Sequence, residues 1–169
     1  MNTLPSDLQL AALSEQVAKI LTASNLHLAT AESCTGGWLA KLMTDLAGSS
    51  AWFECGFVTY SNASKQDMLA VSPSMIEKHG AVSEQTVEAM AQGALDNSHA
   101  QLSVAISGIA GPSGAMADKP VGTVWFAWAD KRTEPAKISS ESCYFAGDRE
   151  AVRRQAVAHA MEGILALIE

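Results

Sequence analysis

Apolar residues follow two rhythms along this chain. Between Ser6 and Ser24, Leu10, Leu13, Val17, Ile20 and Leu21 recur at helical spacing and line one face of a helix. Ser6 and Gln9, three residues apart, give that helix a capping-box start. Leu26 to Ala31 then reads as a short strand, Trp38 to Leu46 as a helix, and Phe53 to Tyr60 as a second strand. Asn62 to Leu69 predicts a short helix, and Pro73 suits the first turn of another that Gly80 stops. Ser83 and Glu84 open a longer helix to about Asn97, burying Val87, Met90, Ala91 and Ala94. Three apolar runs of strand length follow at Leu102 to Ile106, Val121 to Ala129 and Ile138 to Phe145. Asp148 caps a last helix through Ile168, with Val152, Ala156, Val157, Met161, Ile164 and Leu165 packed. Helices alternate with strands first, and the last strands succeed one another. That order predicts an α/β fold, a single three-layer α/β/α domain over residues 1–169 with a mixed β-sheet.

Composition narrows the function classes. Charged residues make up 17% of the 169, against about 25% in an average soluble domain, and hydrophobic residues 48%, so disorder is excluded. The net charge is −7, and the longest basic run is the pair Arg153-Arg154. Nucleic-acid affinity rests on neutralising phosphates with lysine and arginine, so no nucleic-acid partner is expected. No stretch approaches the ~18 to 20 apolar residues of a membrane span. The first basic residue is Lys19, so no cationic signal segment is visible. Cys34, Cys55 and Cys143 are odd in number and far apart, which favours free thiols and a cytoplasmic location. His27, His79, His99 and His159 lack metal-ligand companion spacings, so neither metal nor cofactor is expected.

Two loops carry candidate chemistry. Thr30-Ala-Glu-Ser-Cys-Thr-Gly-Gly37 joins a strand to a helix, where ligands gather in open α/β sheets. Its bland reading is a capped helix with a glycine turn. Its functional reading has Ser33 at the lip of a cradle formed by the amides of Thr35, Gly36 and Gly37. The second loop runs from Ser107 through Gly108, Ile109, Ala110 and Gly111 to Gly114, and no charge occurs from Gln101 to Ala117. It fits neither the GxGxxG nor the P-loop pattern, yet a long ordered loop of small residues suits an anion nest. Between them, Tyr60 and Lys65 miss the YxxxK spacing, and no Ser-x-x-K motif is present. A lysine on a short helix is ordinarily a solvated charge. Lys65 stands out because it is one of only seven lysines and closely follows an aromatic strand end.

Taken together, the stretches resemble the CinA C-terminal domain family. The matching segments are Thr30 to Gly37, Gly56-Phe-Val-Thr-Tyr-Ser-Asn-Ala-Ser-Lys65, Gly80-Ala-Val-Ser83, Gly108-Ile-Ala-Gly-Pro112 and Lys119-Pro-Val-Gly-Thr-Val124, in family order. Departures are Cys55 where the family often has glycine, Ser107 where threonine is common, and Ala115-Met116 where Gly-Thr is typical. The resemblance implies a stand-alone amidohydrolase that converts nicotinamide mononucleotide (NMN) to nicotinate mononucleotide and ammonia. It implies Ser33 as nucleophile, Lys65 as base, Tyr60 assisting, and a homodimer. Substrate contacts are expected from Thr35, Gly36, Gly37, Ser107, Gly108, Ala110, Gly111 and, for the phosphate, Arg149 at the start of the last helix. A competing arrangement uses Cys34 as nucleophile with Glu32 and Lys65. Since adjacent side chains point in different directions, only one of Ser33 and Cys34 faces the amide, and Ser33 is preferred. A non-catalytic nucleotide-binding module is the reading of a different class.

Overall fold

The computed structural model describes residues 4–168. The chain runs α1 (Asp7–Ser24), β1 (Leu28–Glu32), α2 (Trp38–Thr44), a short 3-10 turn, β2 (Phe53–Val58), α3 (Asn62–Leu69) and α4 (Pro73–His79). It continues with α5 (Glu84–Asp96), β3 (Leu102–Gly108), β4 (Thr123–Asp130), β5 (Lys137–Tyr144) and α6 (Arg149–Ile168). The strands form one sheet in the order β2-β1-β3-β4-β5. β2, β1 and β3 are parallel, whereas β4 and β5 join antiparallel, so the sheet is mixed as expected. Among the described residues no helix is long and apolar enough to cross a membrane.

Local signals set the helix ends. The Ser6 hydroxyl accepts from the Gln9 amide while the Gln9 side chain accepts from the Ser6 amide, completing the capping box of α1. Pro73 opens α4, Gly80 follows its end, and the Asp148 carboxylate accepts from the Ala151 amide at the start of α6. The strands differ by a few residues from their apolar runs. β1 extends to Glu32, because backbone pairing to both neighbours continues past the last apolar residue. β2 stops at Val58, so Tyr60 stands beyond the strand rather than at its end.

The sheet separates two cores of different texture. Toward α1, α2 and α6 it turns Leu28, Leu102, Val104, Ile106, Val124, Phe126 and Trp128. Toward α3, α4 and α5 it turns mainly Ala29, Ala31, Ala105, Ala127 and Ala129. Small side chains on that face let α5 lie close, and the buried Ser103 hydroxyl donates to the Ala91 carbonyl of α5 at 2.7 Å. Gly93 serves the same approach, since a methyl there would run into the Leu69 carbonyl at the end of α3. α3 is thereby pressed toward the sheet, and Lys65 is carried inside with it.

Candidate active site

The central strands end in the first candidate loop. β1 delivers Glu32, Ser33 and Cys34 at its carboxyl end, and the Ser33 amide donates to the Ile106 carbonyl of β3 at 2.9 Å. The Thr59 amide donates to the Glu32 carbonyl at 2.9 Å, extending the β1–β2 pairing one residue beyond β2. The chain then reaches α3, whose N-cap Ser61 is bonded reciprocally to Ser64. Lys65, on the second turn of α3, points back to the sheet and is 1% exposed. Its Nζ lies 3.0 Å from Ser33 Oγ and 2.8 Å from the Thr59 carbonyl oxygen.

This environment opposes a charged lysine. Burial pulls the Lys65 pKa below its ordinary value, and no carboxylate forms an ion pair with it among the described residues. A neutral amine there donates one N–H to the Thr59 carbonyl and offers its lone pair to the Ser33 hydroxyl. Cys34, the rival nucleophile, is buried beside them. Burial first, and the Glu32 charge in addition, push its thiol up to about 12. A thiol held in that state at neutral pH is a poor nucleophile.

Glu32 is wholly engaged in holding the loop. Its carboxylate accepts from the Thr35 hydroxyl at 2.7 Å, the Leu39 amide at 2.8 Å and the Ala40 amide at 3.0 Å. It thus satisfies donors at the start of α2, which has no N-cap side chain because Gly37 occupies that position. Gly36 and Gly37 take positive φ values of 59° and 93°, folding the backbone tightly between Ser33 and α2. The Gly36 amide is spent on the Ser33 carbonyl at 3.0 Å. Among the described residues, those of Thr35 and Gly37 make no hydrogen bond.

Arg149 and Tyr60 meet at the rim. The guanidinium of Arg149 donates to the Gly111 carbonyl at 2.7 Å and to the Tyr60 hydroxyl at 2.8 Å, joining the second candidate loop to the chain between β2 and α3. Tyr60 is 60% exposed, and its hydrogen bond goes to Arg149 rather than to Ser33 or Lys65. The Ser107 hydroxyl, by contrast, turns to the Ala81 carbonyl at 2.8 Å. Gly108 abuts the backbone of β4, where a methyl would meet Val124 and the Thr123 carbonyl, and Ala110 is buried. A hollow of about 740 Å³ opens beside the first loop, lined among others by Thr35, Gly36, Gly37, Lys41, Arg149 and Arg153.

Arg153, which spacing does not single out, also lines this hollow. Its guanidinium donates to the Cys34 carbonyl at 3.0 Å and the Thr35 carbonyl at 3.1 Å, and it lies over the Trp38 ring at 5.5 Å. The sequence signal was the Arg153-Arg154 pair one helical turn after Arg149, on a helix otherwise poor in cations.

The domain is thus a three-layer α/β/α fold on a mixed sheet, with a buried serine–lysine pair at the carboxyl end of its central strands, where open α/β sheets place their ligand sites. The chain belongs to the CinA C-terminal domain family, whose model matches residues 10–168. It is 56% identical over 157 residues to the nicotinamide-nucleotide amidohydrolase PncC of Escherichia coli K12, covering 93% of each chain. A Pseudomonas putida protein of the same name is 50% identical over 155 residues, covering 92% of this chain and 94% of the relative. Among solved structures, a competence/damage inducible protein from Agrobacterium tumefaciens matches with a TM-score of 0.91 and 40% identity over 100% of both chains.

Proposed function

We propose that this protein is a nicotinamide-nucleotide amidohydrolase that hydrolyses the carboxamide of NMN, with Ser33 as nucleophile and Lys65 as its base. The observation that carries the reading is the 3.0 Å approach of Lys65 Nζ to Ser33 Oγ in a buried setting that favours the neutral amine. The names of the close relatives support the substrate class. Neutral Lys65 takes the proton of Ser33 as Oγ bonds to the carboxamide carbon. The amides of Thr35 and Gly37 receive the developing oxyanion, an effect worth ~3 to 4 kcal/mol per donor in a well-measured protease. The Lys65 ammonium returns the proton to the departing nitrogen, the C–N bond breaks, and ammonia leaves a nicotinoyl ester on Ser33. Water, deprotonated by the same amine, then attacks that ester, and Oγ recovers its proton as nicotinate mononucleotide departs.

Binding of the nucleotide falls to the hollow beside these groups. Arg149 and the glycine loop at Gly108, Ala110 and Gly111 take the phosphate, and Arg153 fixes the backbone that carries the oxyanion donors. Tyr60 assists from the mouth of the site, through the guanidinium it shares. Ser107 acts by holding the second loop against Ala81. The domain functions as a homodimer in the cytoplasm and needs no cofactor in this scheme. Ammonia release from NMN by the wild-type chain and by Ser33→Ala is the decisive assay. Release by wild type alone is expected. Equal release by both eliminates the serine mechanism, and NMN binding without release from either identifies a nucleotide-binding module instead.

A further inference from the structure

Far from Ser33, at the β5 edge of the sheet, three donor atoms of different kinds converge on one point. Glu141 and Cys143 are two apart on β5 and share a face of the strand. His159 of α6 meets them there: its Nε2 lies 3.4 Å from Cys143 Sγ and 2.8 Å from a Glu141 carboxylate oxygen. One ligand atom from each residue falls within 4.8 Å of the others. On the far side of the ring, Nδ1 faces a Glu162 carboxylate oxygen at 3.7 Å. Phe126, Trp128 and Phe145 stand edge-on around the imidazole, at centroid distances of 4.8, 5.9 and 6.1 Å, and fix its plane.

We propose that Glu141, Cys143 and His159 bind a divalent transition-metal cation, zinc foremost, with Glu162 as the outer carboxylate that orients the imidazole. Ordinary zinc bond lengths in a tetrahedron separate nitrogen and sulfur ligands by about 3.6 Å and nitrogen and oxygen ligands by about 3.3 Å. The observed 3.4 Å between Nε2 and Sγ already fits. The 2.8 Å hydrogen bond between Nε2 and Glu141 opens by rotation of a side chain that is half exposed. A carboxylate behind the ligating histidine is the arrangement that sets its tautomer and strengthens it as a donor. A hollow of about 520 Å³, lined in part by Phe145, Gln155, His159 and Glu162, borders the imidazole, and the exposed Glu141 leaves the ligand group open to solvent. A nucleophilic thiol is served less well by the same residues. Glu141 crowds the nitrogen that faces Cys143, and its negative charge opposes a free thiolate, whereas a cation uses both anionic donors.

The test uses the untagged chain after chelator treatment, titrated with zinc against a chromogenic competitor and with cobalt for spectroscopy. One equivalent per chain is expected, with a thiolate-to-cobalt charge-transfer band and a zinc-dependent rise in melting temperature. Cys143→Ser abolishes the band, and His159→Gln abolishes the thermal shift. Glu162→Gln keeps the band but weakens zinc ~10-fold or more, the usual cost of losing an outer-shell partner. Circular dichroism verifies the fold of each variant, and Glu141→Gln, scored by zinc affinity, replaces one that fails. A band that survives Cys143→Ser, or wild-type zinc affinity in the His159 and Glu141 variants, overturns the proposal.

Discussion

At the scale of single residues, the candidate site depends on which side chains are charged. Lys65 is a base only as the neutral amine, and burial lowers the pH at which that form appears. Activity should therefore fall as pH drops through its lowered pKa, with the acid limb below the ordinary lysine range. A pH–rate profile with no such limb contradicts the assignment. Ser33→Ala should reduce ammonia release by at least about 10³-fold, because nucleophile and base act as a unit. On the proposed reading, Arg149 contributes binding rather than chemistry. Replacing it with alanine removes charge-assisted contacts worth roughly 1.5 to 3 kcal/mol, so KM for NMN should rise about 10- to 100-fold while kcat changes little. Steady-state kinetics separates those two effects.

At the scale of elements, Glu32 is the joint between β1 and α2. Its carboxylate accepts three hydrogen bonds, two of them from backbone amides. Glu32→Gln turns one acceptor into an amide that faces another donor. Urea unfolding should show a loss of about 1 to 3 kcal/mol, with amidase activity falling as the Ser33 loop loses its anchor. Much of this level was legible in the sequence. α3 occupies Asn62–Leu69 as its pattern predicts, and the Ser6–Gln9 and Asp148 caps form as spaced. Caps and periodicity are local, so they survive without knowledge of tertiary contacts. The burial of Lys65 was not legible in the same way. A lysine on a short polar helix reads as solvated, and only the docking of α3 against α5 turns it inward. The motif stretches nominated the residue, but no spacing rule supplied its 3.0 Å contact with Ser33. Arg153 and the Glu141–Cys143–His159 group escaped for a similar reason: each contact forms only when separate elements pack together, α6 against the first loop and α6 against β5.

At the scale of the whole molecule, a buried amine links chemistry to stability. Lys65 has a lower pKa in the folded chain than an ordinary lysine, so the unfolded chain binds more protons between those two values. Stability then rises with pH across that window and is lost as pH falls toward the folded value. Lys65→Met, free of that proton linkage, should lack activity yet gain in melting temperature relative to wild type as the buffer becomes more acidic. Thermal melts over a pH series measure the difference directly, and parallel curves would contradict it. The net charge of −7 enters in a separate way. It disfavours polyanions as a whole, while at one hollow Arg149, Arg153 and the Asp45-paired Lys41 outnumber the single acidic lining residue, Glu150. The proposed phosphate site therefore needs only a local excess of cations, not a cationic face.

Ser33 stands just past the carboxyl end of β1, and Lys65 reaches it from α3, across the Thr59–Glu32 hydrogen bond that prolongs the β1–β2 pairing. Thr59 serves both partners: its amide is tied to Glu32, next to Ser33, and its carbonyl holds the Lys65 amine at 2.8 Å. On the proposed mechanism, serine and base are therefore already in contact before any amide arrives. Selectivity on that mechanism belongs to what the rim lets in.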